Sequence, residues 1–292
     1  MRFRKQALRH LEQPESLDQW LVTGSSRGLG RAVVAAAAEA GALVVATARR
    51  PDQLADLVSA YPGRVEAVPL DVTDPAAAEK AVQDAVGTFG RLDVVNNAGY
   101  ADSAPIEEMS DDDFRSQLEA NLFGVVNVTR AALPVLRRQR SGTFVQVSSI
   151  GGRVGGTPGM GAYQTAKFAV EGFSEVLASE TAPFGIRVII VEPGAFRTDW
   201  QGSSMVRHPV GDDYAGTVGR INRFREETQG RQAGDPDRAG AAIVRVVAEP
   251  EPPRRLVLGS DALASALAAG AARNAEAQRW ADLSRSTDYP AA

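Results

Sequence analysis

The sequence predicts an α/β fold in which a parallel sheet is covered by helices on both faces. Three observations carry that expectation. Short apolar runs alternate with Ala- and charge-rich stretches of helical length along the chain. Several of those stretches open with helix-start chemistry, as in Thr73-Asp74-Pro75 and Ser110-Asp111-Asp112-Asp113. No internal repeat or interdomain linker interrupts the pattern, so one domain accounts for the body of the chain. Strand, helix, strand repeated in this way implies right-handed crossovers and a parallel sheet.

Taken in order, the candidate strands are Gln19–Thr23, Ala42–Thr47, Val65–Leu70, Leu92–Asn96, Gly142–Val147, Arg187–Val191 and Arg255–Leu258. Between them, Arg31–Ala40, Pro75–Phe89 and Asp112–Leu136 read as helices. Residues 1–17 read as a mobile N-terminal extension and residues 18–292 as the single domain. The least regular stretch, residues 199–235, has mixed charge, glycine and no steady period. It leaves the carboxyl end of a strand, where ligands of open α/β sheets sit, and reads as a substrate lid. Residues 261–283 read as a capped, Ala-rich C-terminal helix.

The totals exclude several functions. The chain has 292 residues, 32 basic and 36 acidic, for a net charge of −4. That balance argues against a nucleic-acid binder. With no cysteine there can be no disulfide, thiolate metal site or cysteine nucleophile. Only His10 and His208 could serve a histidine-based triad or metal cluster, and no metal is expected. No apolar run is long enough to span a membrane. The basic start, Met1-Arg-Phe-Arg-Lys5, lacks a following apolar region. The expected compartment is the cytoplasm.

The first strand runs into Thr23-Gly24-Ser25-Ser26-Arg27-Gly28-Leu29-Gly30, and a helix follows. Glycines permit the tight turn and the approach of backbone N–H groups to a phosphate, and the helix N-terminus adds unpaired donors. Gly24, Ser26, Arg27, Gly28, Leu29 and Gly30 are therefore dinucleotide-binding candidates. The second strand ends in Ala48-Arg49-Arg50, without the acid that usually meets a ribose 2′-OH. Arg27 and Arg49 can instead clamp a 2′-phosphate, so NADP(H) is expected over NAD(H).

In Gly161-Ala-Tyr-Gln-Thr-Ala-Lys167, Tyr163 and Lys167 lie one helical turn apart. A fixed ammonium favours a phenolate and is expected to draw the tyrosine below its ordinary value of about 10. Lysine is scarce here (Lys5, Lys80 and Lys167 only), and unlike arginine it can titrate.

In these motifs the chain resembles the short-chain dehydrogenase/reductase family, over about residues 18–260. The glycine loop looks like the family's cofactor loop. Asp71 and Val72 resemble the adenine-contacting pair, and Asn97-Ala98-Gly99 resembles the segment lining the cofactor cleft. Asn121 matches the active-site asparagine, Ser148-Ser149 stands where the catalytic serine belongs, and Tyr163 and Lys167 match the catalytic pair. Pro193, Gly194 and Thr198 resemble the nicotinamide-binding turn. The resemblance implies a three-layer, doubly wound Rossmann fold with a parallel seven-stranded sheet. It also implies an NADP(H)-dependent oxidoreductase, similar to hydroxysteroid dehydrogenase-like carbonyl reductases.

By that resemblance Tyr163 serves as general acid or base, and Lys167 tunes it and bonds the nicotinamide ribose. Asn121 holds a relay water. Adjacent strand residues face opposite ways, so one of Ser148 and Ser149 points into the cleft, and the family pattern favours Ser149. The segment between Ser149 and Tyr163 is one residue longer than is usual in the family. Relatives pair through the helices carrying Asn121 and Tyr163, which implies a homodimer or homotetramer. The expected partner is a small, partly apolar carbonyl or alcohol substrate, with Phe196, Trp200 and Met205 in or near the lid. The other functions compatible with the chain are an NADP-sensing regulatory protein without turnover, and an epimerase or dehydratase.

Overall fold

In the computed structural model, which describes residues 19–202 and 204–289, nine strands and the helices between them follow the expected alternation. The N-terminal extension expected over residues 1–17 lies outside the described residues. The strands are β1 (Gln19–Val22), β2 (Leu43–Ala48), β3 (Val65–Pro69), β4 (Asp93–Asn96), β5 (Ala101–Ser103), β6 (Gly142–Val147), β7 (Ile186–Pro193), β8 (Met205–Arg207) and β9 (Arg255–Leu258). Seven form one sheet in the order β3-β2-β1-β4-β6-β7-β9, with every neighbouring pair parallel. The expected doubly wound fold is thus observed. β5 and β8 form a separate two-stranded parallel sheet.

Strand alternation builds two cores. In β1, Trp20 and Val22 join one cluster and Leu21 the other, as a period of two requires. The first cluster lies under α1 (Gly28–Glu39), α2 (Ala55–Ala60) and, later in the chain, the helix at Pro236–Ala248. The second lies under α3 (Pro75–Phe89) and two longer helices described next. Each fully buried Val, Leu or Ile contributes roughly 1.5–3 kcal/mol.

The helix expected over Asp112–Leu136 is three pieces. α4 (Asp111–Leu118), capped by Ser110, leads into a π-helical turn at Glu119–Phe123, and α5 (Gly124–Gln139) follows with Pro134 inside it. A π turn inside a helix displaces side chains locally and carries no residue signature. Here it holds Asn121.

After the short α6 (Ile150–Arg153), α7 (Gly161–Thr181) crosses the second face of the sheet. The stretch expected as an irregular lid contains β8 and α8 (Arg220–Thr228). Its elements are too short to impose a visible period. α9 (Pro236–Ala248) packs on α1, where a Cβ on Gly240 would lie 2.6 Å from the Ala32 carbonyl oxygen. The C-terminal helix, expected over residues 261–283, is α10 (Ser260–Arg279), which breaks at Trp280 before α11 (Ala281–Arg285).

Candidate active site

From β1 the chain winds outward to β2 and β3, then returns to β4 on the other side of β1. The loops after β1 and β4 therefore part at the carboxyl edge of the sheet, a switch point where ligands bind. A cleft of about 1460 Å³ opens there.

The glycine spacing has a local cause at each position. Gly24 (φ +67°) and Gly28 (φ +58°) adopt backbone that other residues rarely take. A Cβ on Gly24 would lie 2.7 Å from Ala98 Cα, and one on Gly30 would lie 2.5 Å from the Gly24 carbonyl oxygen. Gly30 thus lets the first turn of α1 fold back onto the loop. No side chain caps the start of α1 and no acid sits in its first turn. Its free N–H groups suit a phosphate, and Ser26 and Leu29 line the cleft beside them.

Thr23, which the sequence reading left out, ties the two halves of the switch point together. Its Oγ1 accepts from the backbone N–H groups of Asn97 (2.9 Å) and Ala98 (3.0 Å). The Asn97 amide donates to the carbonyls of Thr23 and Gly24 at 3.0 and 3.1 Å, so it holds the loop. Beyond β1, Arg27, Arg49 and Arg50 are exposed along the cleft. Asp71, two residues past β3, accepts from Thr73, beside Val72. This glycine-lined cradle at the switch point fits a dinucleotide.

Tyr163 and Lys167 sit on α7 and are 7% and 4% exposed. Lys167 Nζ lies 5.8 Å from the Tyr163 ring centroid and donates to the Val147 carbonyl at 2.8 Å. Ser149 caps α6, accepting from Gly151 N–H at 3.0 Å, and its hydroxyl faces the Tyr163 phenol. Ser148 is committed elsewhere, donating to Glu171 Oε1 at 2.9 Å.

The expected drop in the tyrosine pKa is not found. Burial pushes the Tyr163 phenol up to about 12, offset in part by Ser149, and pushes the Lys167 ammonium down to about 8. Desolvation disfavours the charged form of each group.

Asn121 donates to the carbonyls of Tyr100 (2.9 Å) and Gln117 (3.0 Å), while its buried Oδ1 has no hydrogen-bond partner. A Cβ on Gly99 would lie 2.4 Å from that oxygen and 3.7 Å from Lys167 Nζ. Gly99 thus preserves the space between Asn121 and Lys167. After β7, Pro193, Gly194 and Thr198 line the cleft. Asp261, another residue the sequence reading missed, braces this turn by accepting from Ala195 N–H at 2.8 Å.

Trp200 tilts over Tyr163 with ring centroids 5.2 Å apart and an interplanar angle of 58°. With Ala101, Met160 and Met205 it forms an apolar wall. Phe196 packs against the core under α1 and α9 and also lines the cleft. His208 lies 3.9 Å from Asp102 and 4.0 Å from Asp113, outside the cleft lining.

Residues 19–207 match the model of the short chain dehydrogenase family. The chain is 48% identical over 267 residues to "Oxidoreductase BOA17" of Botryotinia fuckeliana, covering 91% of this chain and 97% of that protein. It is 37% identical over 242 residues to a 3-ketodihydrosphingosine reductase of Bacteroides thetaiotaomicron, covering 82% and 87%. Among solved structures, a short-chain dehydrogenase from Streptomyces avermitilis superposes with a TM-score of 0.87 at 42% identity, covering 94% of this chain and 100% of that one. An alcohol dehydrogenase from Thermococcus sibiricus, complexed with 5-hydroxy-NADP, gives 0.68 at 26% identity, covering 83% and 96%.

Proposed function

Since the chain belongs to the short-chain dehydrogenase family of oxidoreductases, we propose that it reduces a carbonyl group of a small, partly apolar molecule to a secondary alcohol with NADPH. The observation that carries this reading is the buried Tyr163 phenol, faced by the Ser149 hydroxyl and flanked by Lys167.

The cofactor, when bound, supplies the hydride. Gly24, Ser26, Gly28, Leu29 and Gly30 would hold its pyrophosphate side, with Asp71, Val72, Asn97, Ala98 and Gly99 along the cleft. Pro193, Gly194 and Thr198 would hold its nicotinamide end. Arg27 and Arg49 would meet the 2′-phosphate. In support, no acid ends β2, and a 26% identical relative is complexed with an NADP derivative.

With its pKa raised by burial, Tyr163 carries its proton at neutral pH and can donate it to the carbonyl oxygen. Ser149 shares its hydroxyl with the same oxygen and stabilises the developing charge. Lys167 stays mostly charged near pH 7, with N–H donors beyond the one given to Val147. The unpartnered Asn121 Oδ1 can accept from a water that returns a proton toward Lys167. Phe123, Phe168 and Val176 remain exposed on and beside the helices that would pair in a homodimer or tetramer.

Steady-state oxidation of NADPH and NADH with a panel of ketones and aldehydes tests the reading. Turnover with a lower KM for NADPH is expected. NADPH binding without turnover of any carbonyl would favour a sensor instead, and a preference for NADH would overturn the cofactor assignment.

A further inference from the structure

We propose that Arg225 receives a carboxylate of the substrate, so that the compounds reduced at Tyr163 are oxo acids. This rests on the reductase reading above and names its substrate class.

Arg225 lies on α8 and is only 7% exposed. Its hydrogen bond is a long one, 3.4 Å from Nη1 to Asn222 Oδ1, and that oxygen already accepts from Ser103 at 2.7 Å. Among the described residues it has no carboxylate within ion-pair distance. The neighbouring acid, Glu226, faces Arg207 Nε at 3.7 Å instead. A buried guanidinium in a folded protein is ordinarily paired, because desolvating an isolated charge is costly.

The group also stays charged. Burial, and secondarily the positive charge of Arg207, push its pKa down to about 10, still well above neutrality. Its surroundings therefore supply positive charge and leave the counter-charge to something else.

Arg225 borders the cleft, together with Trp200, Gln201 and Ser204. α8 is anchored to this wall through the Asn222–Ser103 bond, and Ser103 belongs to β5, whose pairing with β8 aligns Ala101 with Met205 beside Tyr163. The arginine thus stands on the Tyr163 side of the cleft, whereas Arg49 stands beyond β1 at the end of β2. A guanidinium fork matches the paired oxygens of a carboxylate or a phosphate. Arg207 is already engaged by Glu226 and by the Gln201 carbonyl, so a single negative charge balances Arg225. A phosphate monoester carries nearly two. The apolar side chains Trp200 and Met160, which line the cleft, then suit the carbon chain between carbonyl and carboxylate.

The test uses the full chain with NADPH, oxo acids of increasing chain length, their methyl esters and the matching oxo-alkyl phosphates. The wild type is expected to prefer the acids. In Arg225→Gln and Arg225→Met the acid-to-ester ratio of kcat/KM should fall about thirtyfold, mostly through KM. Arg225→Lys should recover part of it. Arg225→Met should melt no lower than the wild type, because it removes a buried charge that has no carboxylate partner among the described residues. Calorimetry of saturated acids and their methyl esters, with NADP(H) present, separates the site from the reaction. Arg225-dependent binding of the acids without turnover of any carbonyl would keep this site and refute the reductase reading. An acid-to-ester ratio unmoved by Arg225→Gln, equal binding of acids and esters, or a preference for the phosphates would overturn the carboxylate site.

Discussion

The Ser148 hydroxyl donates to Glu171 Oε1 at 2.9 Å, tying the end of β6 to a buried carboxylate on α7. Glu171 is in turn paired with Arg255, which also holds Glu175 and Glu192. The neighbouring serine faces Tyr163 instead. The two serines should therefore separate stability from chemistry. Ser148→Ala removes a donor from a buried acid and should cost about 1–3 kcal/mol of stability in a denaturant melt. Ser149→Ala should cost about 1 kcal/mol through the lost cap on α6. Its main effect should be on kcat/KM, lowered about 10²–10³-fold. The reverse pattern would exchange their roles.

Lys167 should set an alkaline limb. Its ammonium is charged below about pH 8 and loses its proton as pH rises through that value. Tyr163 keeps its proton to about 12 and cannot produce this limb. The kcat/KM for carbonyl reduction should be level below about pH 8 and fall above it, and Lys167→Arg, which does not titrate in this range, should lose the limb. Stability should move the other way. The unfolded lysine holds its proton to about 10.4, so the folded state gains on the unfolded one as pH rises from about 8 toward that value. Thermal melts across this window should show the gain in the wild type and not in Lys167→Met.

Gly24 combines φ of +67° with a Cβ position 2.7 Å from Ala98 Cα. Gly24→Ala should cost at least about 1–3 kcal/mol through the backbone alone. The contact with Ala98 would also push the loop away from the end of β4. A lowered melting midpoint together with weaker NADPH binding is expected, and a variant that binds NADPH normally would count against the loop as the cofactor cradle.

Arg49 bears on cofactor choice. Arg49→Glu should raise the Kd for NADPH at least about tenfold, since hydrogen bonds to charged groups are worth about 1.5–3 kcal/mol. NADH binding should hold or improve, because an acid at this strand end suits a ribose 2′-OH. Fluorescence titration with both cofactors measures the split. An equal change for both would remove Arg49 from the 2′-phosphate site.

The parts of the site built on residue type were legible in the sequence. The glycines at 24, 28 and 30 mark backbone that only glycine tolerates, and Tyr163 and Lys167 mark one helical face. Those that depend on depth and packing were not. Spacing placed the lysine beside the tyrosine, but only the fold shows both groups buried enough for desolvation to dominate. The π turn around Asn121 left an unbroken helical pattern. In residues 199–235 the elements are too brief for periodicity, so the burial of Arg225 in α8 had no sequence signal at all.

The most direct measurement compares kcat/KM for NADPH-linked ketone reduction in the wild type and Tyr163→Phe, with NADPH affinity measured alongside. Phenylalanine keeps the ring against Trp200 and Met160 but has no proton to give. A loss of about 10²–10⁴-fold in kcat/KM with cofactor binding intact is expected if Tyr163 protonates the carbonyl oxygen. Turnover by Tyr163→Phe at the wild-type rate would contradict it.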